Sequence, residues 1–265
     1  MNLHRNPPTT AIIVPTLGLR PKHLDECIRS ITNAGDSLIV IVSPANVTFN
    51  AFVKSNIGLF VKESGIGLAA AINLGVANLP PEIEFFNWLG DDDLLTENSI
   101  NKCVGVLQVN QGVNAVYGQC EYIDSNSKRI GMNSSGIWAK KILRFGPDLI
   151  PQPGALFRVS AFNSVGGLNT QYRLAFDFDL FIKLLEIGEL TYLPEVLGKF
   201  RWHPDSLSVK LRMVSVLEAS KVRKSHLPTL IRPFSFLWEG LILSLTYIVG
   251  IALNTRVKLT HQIRV

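Results

Sequence analysis

Charged residues are scarce in this chain of 265 residues: Asp, Glu, Lys and Arg make up 18% of it, whereas apolar residues make up 47%. This balance excludes an intrinsically disordered protein, which lacks the apolar surface needed to fold. Cysteine is scarce too. Cys27, Cys103 and Cys120 are scattered and odd in number, which argues against a disulfide framework or a cysteine-based metal motif. We therefore expect a globular protein with reduced thiols in the cytoplasm.

Repeats, low-complexity segments and a leader-like apolar stretch are missing as well. The absence of a repeat period excludes a solenoid or a propeller. Residues 1–10 are polar and rich in proline, so we expect no signal peptide. The length suits one sizeable core, alone or with an appendage.

The formal net charge of +5 is unevenly distributed along the chain. Residues 210–265 contain nine Lys or Arg but only two acidic residues, Glu218 and Glu239, and therefore carry +7, whereas residues 1–209 carry −2. Basic segments bind nucleic acids or anionic membranes. The apolar run 234–253 within this segment favours a membrane surface and argues against nucleic acid. We predict a catalytic or binding domain over residues 1–209 and a basic, apolar helical tail over 210–265.

The apolar run of the tail has three interpretations. Its twenty residues are about the length that crosses a bilayer, although Glu239 lies near one end. The run could span a membrane, lie in the plane of its surface, or dock on the protein as a core helix. The residues favour the in-plane helix slightly and the docked helix least.

Short apolar runs alternate with segments of helical length in the first 110 residues. Continuous apolar strands separated by helices predict a parallel sheet that is covered on both faces. Beyond residue 113 the runs shorten, which indicates a mixed or antiparallel extension. The predicted strands are 11–15, 38–42, 58–61, 83–89, 113–117 and 120–124, and the main predicted helices are 21–34, 67–79, 97–109 and 178–187.

Three adjacent carboxylates, Asp91 to Asp93, follow the predicted strand 83–89. Ligands of such sheets bind beyond the carboxyl ends of the strands, where Pro15, Thr16 and Ser43 also lie. Adjacent carboxylates repel one another unless a counter-charge is present, and oxygen-rich clusters suit Mg²⁺ or Mn²⁺, often shared with substrate phosphates. The alternative is a solvated acidic turn before the next helix.

Two further carboxylates, Asp177 and Asp179, lie at the start of the predicted helix 178–187. Asp177 shares a helix face with apolar residues three, four and seven positions later, so its side chain should face packed protein. A carboxylate oriented in this way can act as a general base. The alternative role is a helix cap, which we favour for Asp179. Gln152 precedes Pro153 and Gly154 and could offer its amide to a sugar hydroxyl, although turn formation alone also explains these residues.

Six segments in this order resemble family 2 glycosyltransferases, which have the nucleotide-diphospho-sugar-binding GT-A fold. The resemblance covers about residues 10–208 and implies a Rossmann-like, mostly parallel sheet flanked by helices. The matching segments are Ile12-Ile-Val-Pro-Thr16, Gly67-Leu-Ala-Ala-Ala-Ile-Asn-Leu-Gly75, Trp88-Leu-Gly-Asp-Asp-Asp-Leu-Leu95, Gly167-Leu168, Asp177-Phe-Asp-Leu180 and Arg201-Trp-His-Pro-Asp-Ser206.

The resemblance implies a role for each matching residue. Asp177 corresponds to the catalytic base. Apart from the resemblance, we predict that Gln152 and Asp179 contact the acceptor. Mn²⁺ or Mg²⁺ would be held by Asp91, Asp93 and His203. The residues implied to bind the nucleotide-sugar are Pro15, Thr16, Arg20, Asn73, Asp91 and Asp92.

The implied activity is a metal-dependent, inverting transfer of a hexose from a nucleotide-diphospho-sugar to a hydroxyl of a glycan or lipid-linked acceptor. It would serve polysaccharide or cell-surface glycan biosynthesis at the inner face of the cell membrane. Three positions depart from the family pattern: Ser43 stands where an aspartate pair is common, Gly90 where the metal motif often begins, and, as a milder departure, Phe176 where a Glu commonly precedes the base. The first two leave open a catalytically silent sugar-nucleotide-binding module. A second alternative is another metal-dependent enzyme, such as a nucleotidyltransferase on a similar α/β sheet.

Overall fold

A computed structural model describes residues 8–65, 67–202 and 210–262. Among these residues nine strands form a single sheet, and helices cover it. The strands are β1 Thr10–Pro15, β2 Leu38–Pro44, β3 Leu59–Glu63, β4 Phe85–Trp88, β5 Leu94–Leu95, β6 Val113–Ile123, β7 Arg129–Asn133, β8 Leu156–Arg158 and β9 Glu189–Arg201. The helices are α1 Pro21–Ala34, α2 Ala51–Asn56, α3 Leu68–Ala77, α4 Ser99–Val109, α5 Gly136–Ile142, α6 Val159–Ser164, α7 Phe176–Ile187, α8 Arg212–His226 and α9 Phe236–Gln262.

The first half of the sheet is parallel, as predicted. β1 lies between β2 and β4 and pairs in parallel with both, and β3 pairs in parallel with β2. Alternate residues of β1 pack against α1 on one face and α3 on the other. At Gly75 of α3 a Cβ would lie 2.8 Å from Ile13 and 3.0 Å from Val42, so glycine lets the helix approach β1 and β2 closely. The apolar runs therefore form strands buried on both faces.

The second half of the sheet is mixed, also as predicted. β8 pairs antiparallel with β4 and β6, β7 pairs antiparallel with β6, and β9 pairs in parallel with β6. One detail was wrong: residues 113–123 form one continuous strand instead of two short ones. Gly118 does not end the strand, because β6 and β9 approach so closely there that a Cβ would lie 2.6 Å from the Glu195 carbonyl oxygen and the Leu197 side chain.

The sequence patterns did not predict β9, although it is the longest strand, with 13 residues. Pro194 and several charged residues interrupt its apolar alternation, and a proline within a run argues against a strand. The pairing of β9 with β6 shifts register in this region, between the partners of Tyr117 and Gln119. The irregularity accommodates the proline, and the strand continues to Arg201.

Helix α9 is anchored by its first turn. Glu239 is 3% exposed, and its carboxylate accepts hydrogen bonds from the Arg223 guanidinium at 2.7 and 2.9 Å and from the Ser220 hydroxyl at 2.6 Å. Burial alone would raise the pKa of Glu239, but these bonds outweigh it and hold the pKa below its usual value. The first turn is thus docked on α8, the arrangement that the residues favoured least.

On another face α9 presents apolar side chains to solvent. Leu237, Leu241, Leu245 and Ile248 recur at helical spacing along one face and are each more than half exposed. Among the described residues no helix combines the length and apolar composition that crossing a bilayer requires.

The buried Arg223–Glu239 pair should be needed for stability. Arg223→Met would leave the Glu239 carboxylate buried without its cation, so we expect the free energy of unfolding to fall by about 3–5 kcal/mol. Adding Glu239→Leu should restore most of the loss, because the orphaned charge is then gone. Urea unfolding of the single and double variants measures both effects. A double variant no more stable than Arg223→Met would contradict this account.

Candidate functional site

The parallel pairing of β1 and β4 brings their carboxyl ends together. Pro15 ends β1, and the hydroxyl of the next residue, Thr16, donates a 2.6 Å hydrogen bond to the Asp91 carboxylate. Arg20, just before α1, donates to the same carboxylate at 3.1 Å and to Asp92 at closer range. Three residues predicted to bind the nucleotide-sugar, Thr16, Arg20 and Asp91, are thus in direct contact.

Asp93 faces the protein interior and not solvent. It is 6% exposed and accepts a 2.8 Å hydrogen bond from the backbone N–H of Arg201. The guanidinium of Arg201 is fully buried and donates to the carbonyl oxygens of Asp92 and Asp124 and to the Glu26 carboxylate. The last residue of β9 therefore fixes residues Asp91 to Asp93, the aspartate loop, and supplies a second positive charge beside it.

The aspartate loop concentrates negative charge despite these two arginines. Burial raises the pKa of Asp91, although the Thr16 hydrogen bond and the charge of Arg20 oppose the rise. Burial also raises the pKa of Asp93 well above its ordinary value, and the neighbouring Asp92 adds to the effect. A cation at this loop would relieve both costs.

Gly90 leaves room for two carboxylate oxygens of the loop. A Cβ at this position would lie 2.9 Å from one oxygen of Asp93 and 3.1 Å from one oxygen of Asp92. These two oxygens therefore converge on a single small region, and hard oxygen donors suit Mg²⁺ and Mn²⁺. Within the described ranges no three His, Cys, Asp or Glu side chains are arranged to hold a metal ion. The predicted ligand His203 lies outside the described residues.

Trp88, three residues before the aspartate loop, connects the loop to the other candidate residues. Its ring stacks on Phe157 at 5.0 Å and lies 6.3 Å from the ring of Phe176, the residue before Asp177. The Gln152 amide donates to the Trp88 carbonyl oxygen at 2.7 Å. A second bond, from that amide to Asn87, is 2.9 Å long. The segment containing Gln152 and the start of α7 are both therefore in contact with the end of β4.

Asp177 lies in the first turn of α7, at the edge of the core. Its carboxylate is half-buried and accepts a 2.9 Å hydrogen bond from the N–H of Phe178, while the apolar residues on its face are buried. Burial raises the pKa of Asp177 to about 6, although backbone N–H groups oppose the rise. The apolar face predicted for this helix start is confirmed: Leu180, Phe181 and Leu184.

Asp148 is a second carboxylate beside Asp177 that no sequence pattern indicated. It lies in the segment between α5 and β8 and accepts a 3.2 Å hydrogen bond from the N–H of Ile150. Burial and then the charge of Asp177 raise the pKa of Asp148 well above its ordinary value. Asp148 therefore keeps its proton to higher pH than an ordinary aspartate, and the pair avoids two adjacent charges.

The remaining predicted residues make structural contacts. Asp179 is 2% exposed, and its carboxylate contacts Lys183 at 2.6 Å and His226 at 2.9 Å. The Asn73 amide both donates to and accepts from the backbone of Leu168 at 2.9 Å, which joins α3 to the turn after α6. The carboxylate of Asp179 and the amide of Asn73 are thus both engaged within the protein.

Curated proteins similar to this chain are named glycosyltransferases. An uncharacterized glycosyltransferase of Rickettsia conorii is 30% identical over 162 residues, which are 57% of this chain and 26% of that protein. One of Rickettsia typhi is 30% identical over 152 residues, 54% of this chain and 46% of that protein. The chain thus spans between a quarter and a half of the length of these relatives. No family model matches the chain.

Two solved structures similar to this one contain a bound nucleotide-sugar. A mannosyltransferase of Pyrobaculum calidifontis, in complex with GDP-Man and Mn²⁺, has a TM-score of 0.62 and 16% identity, over 94% of this chain and 74% of that chain. Residues 1–349 of TarS from S. aureus, in complex with UDP-GlcNAc, have a TM-score of 0.58 and 12% identity, over 86% of this chain and 73% of that chain. At these identities the likeness shows the mixed α/β fold, and the named relatives support a glycosyltransferase.

Proposed function

We propose that this chain is the catalytic part of a glycosyltransferase that moves a sugar from a nucleotide-diphospho-sugar to an acceptor hydroxyl. The observation that carries the proposal is the grouping around Trp88. The aspartate loop follows this residue, its ring lies beside Phe176 at the start of α7, and its carbonyl oxygen binds Gln152. Donor-binding and acceptor-binding groups would thus lie on either side of the end of β4. The finer assignment is a family 2 enzyme with the GT-A fold, of hexosyltransferase type.

Asp177 would act as the general base. A carboxyl with a pKa of about 6 is mostly ionised in neutral solution and is a stronger base than an ordinary aspartate. It would take the proton of the acceptor hydroxyl while that oxygen forms a bond to the anomeric carbon. The bond from this carbon to the diphosphate breaks, and its electron pair leaves with the nucleoside diphosphate. A single displacement of this kind inverts the anomeric configuration.

The aspartate loop would hold Mn²⁺ or Mg²⁺ on the donor diphosphate. The proposed ligands are Asp91 and Asp93, together with His203, and Asp92 contributes a converging oxygen at Gly90. The bound ion would offset the charge that develops on the departing diphosphate. Arg20, which contacts both Asp91 and Asp92, would supply further positive charge for the donor diphosphate. Pro15, Thr16 and Asn73 would border the nucleotide.

The exposed apolar face of α9 would bind a membrane surface, in the plane of the lipid headgroups. Its leucines and Ile248 lie on a segment whose net charge is positive, which suits an anionic leaflet. An enzyme held there would meet a lipid-linked acceptor or a nascent glycan at the cytoplasmic face. This placement suits polysaccharide or cell-surface glycan biosynthesis.

Asp177→Asn should reduce transfer at least about 100-fold and leave donor binding unchanged, because only the base is lost. In the wild type the rate should fall as the pH drops through about 6, where Asp177 gains a proton.

Nucleotide release from a panel including UDP-GlcNAc and GDP-Man, with candidate acceptors, measures transfer. The exposed Asp36→Asn is the matched control. Transfer within about tenfold of wild type would disprove this role. Donor binding by the wild type without any turnover would favour a silent binding module.

Gly90→Ala should weaken Mn²⁺-dependent binding of a nucleotide-sugar about tenfold or more, because the added methyl occupies the region where the Asp92 and Asp93 oxygens converge. Calorimetric titration with and without Mn²⁺ measures the effect. Gly105→Ala is the matched control, since a Cβ there meets nothing within 4 Å. Unchanged Mn²⁺-dependent affinity in Gly90→Ala would remove the loop from the metal site.

Replacing Leu241 and Leu245 together by Asn should lower binding to anionic vesicles about tenfold or more, because the contact loses two leucines that would be buried in the lipid. Co-sedimentation with vesicles of anionic lipid and with vesicles of neutral lipid measures this binding. Val109→Asn, which changes an 88% exposed apolar residue of α4, is the control. Wild-type protein that stays in the supernatant with anionic vesicles would contradict the membrane assignment.

A further inference from the structure

Helix α8 holds the chain on both sides of Asp177. Two residues before Asp177, the backbone N–H of Ala175 donates to the Glu218 carboxylate at 3.1 Å. Two residues after it, the Asp179 carboxylate contacts the His226 ring at 2.9 Å. The segment that carries the proposed base is therefore fixed at two points to one helix that follows it in the chain.

Both carboxylate oxygens of Glu218 accept hydrogen bonds from the backbone before α7. One carboxylate oxygen accepts the N–H of Arg173 at 2.9 Å, and the other accepts the N–H groups of Leu174 at 2.8 Å and of Ala175. Three consecutive backbone donors on one carboxylate fix the path by which the chain enters α7. Hydrogen bonds to a charged acceptor are about twice as strong as neutral ones. The cap residue of α7, Ala175, has no side chain that could accept a capping bond, and Glu218 accepts the backbone N–H groups at this entry instead.

Helix α8 is itself held in place by charged contacts. Arg223 is 2% exposed and donates to Glu239 of α9, and also to the carbonyl oxygen of Gly146 at 3.4 Å. Gly146 lies two residues before Asp148, the carboxylate beside Asp177. The same helix thus contacts the segments that carry both carboxylates of the pair. A rigid support of this kind is what a general base needs, because catalysis is sensitive to displacements of about 1 Å.

From these contacts we infer that Glu218 is a positioning residue of the transfer reaction, which sets the location of the Asp177 carboxylate through the backbone of residues 173–175. The inference rests on the proposed function, in which Asp177 is the base. Glu218 contacts neither donor nor acceptor in this assignment. Its substitution should therefore change the rate of the chemical step and not donor affinity.

Glu218→Gln and Glu218→Ala test the inference. The glutamine keeps the shape of the side chain but turns one acceptor into a donor that faces the backbone N–H groups, whereas the alanine removes all three bonds. We expect kcat to fall about tenfold in the first and about 100-fold in the second, with the Kd of the nucleotide-sugar unchanged. Lys221→Gln, at an exposed position on the same helix, should retain wild-type kcat.

A second readout distinguishes positioning from a merely structural role. Loosening of the entry to α7 should let water reach Asp177, so its pKa should fall from about 6 towards the ordinary value. The acid limb of the profile of kcat against pH should then move to lower pH. A ¹³C NMR titration of the Asp177 carboxyl should show the same fall in its pKa. Because the charge of Asp177 raises the pKa of Asp148, the two groups interact, and Asp148→Asn in both backgrounds removes this interaction from the comparison.

The results for Glu218→Gln and Asp177→Asn decide the inference. The inference is overturned if Glu218→Gln has a kcat within twofold of wild type and an unshifted Asp177 titration. It is also overturned if the loss of kcat only matches a loss of folded protein measured by circular dichroism. A folded Glu218→Gln with lowered kcat, a shifted titration and unchanged donor affinity would support it. Asp177→Asn measured in parallel separates the two proposals: if that variant stays active, the proposed function fails, whereas an inactive Asp177→Asn beside a fully active Glu218→Gln rejects the positioning role alone.

Discussion

The arrangement of the candidate site depends on how two arginines balance three adjacent carboxylates at the end of β4. Arg20 contacts Asp91 and Asp92 from the side of α1, and Arg201 contacts the aspartate loop from the end of β9. The two arginines differ in exposure: Arg201 is fully buried, whereas the Arg20 side chain is 38% exposed. A buried guanidinium with several partners is a permanent structural element, while an exposed one can exchange partners at little cost. This difference suits a site in which Arg201 holds the aspartate loop and Arg20 can exchange its carboxylate partners for a ligand.

The C-terminal helices add a second level of organisation. α8 contributes no residue to the aspartate loop, yet it binds the chain before α7, the Asp179 carboxylate and the segment before Asp148. It is also the helix on which α9 is docked, through the buried pair of Arg223 and Glu239. Any contact that α9 makes with a surface is therefore one helix away from the proposed base. Residues 210–262 thus contribute to the support of the site as well as to an exposed apolar face.

Much of the fold could be predicted from local patterns, and the failures have specific causes. The parallel half was predictable because continuous apolar runs are buried by helices on both faces. β9 was missed because Pro194 and its charged neighbours break the alternation, although pairing with β6 overrides that local preference. Residues 113–117 and 120–124 were predicted as two short strands, whereas β6 continues through Gly118, where it closely approaches β9. Asp148 carried no local signal, because its environment is created by Asp177, a residue 29 positions away.

The sequence by itself determined the strands of the parallel half, the carboxylates at the end of β4, and the apolar helix face beside Asp177, because each depends on residues within a few positions of one another. Only the tertiary structure decided which charges meet. Arg20 and Asp91, Arg201 and Asp93, and Glu218 and the backbone before Asp177 are separated by 43 to 108 positions. Pairings of this kind are set by the order in which strands join the sheet and by the helices packed on it, and no local pattern of residues specifies that order.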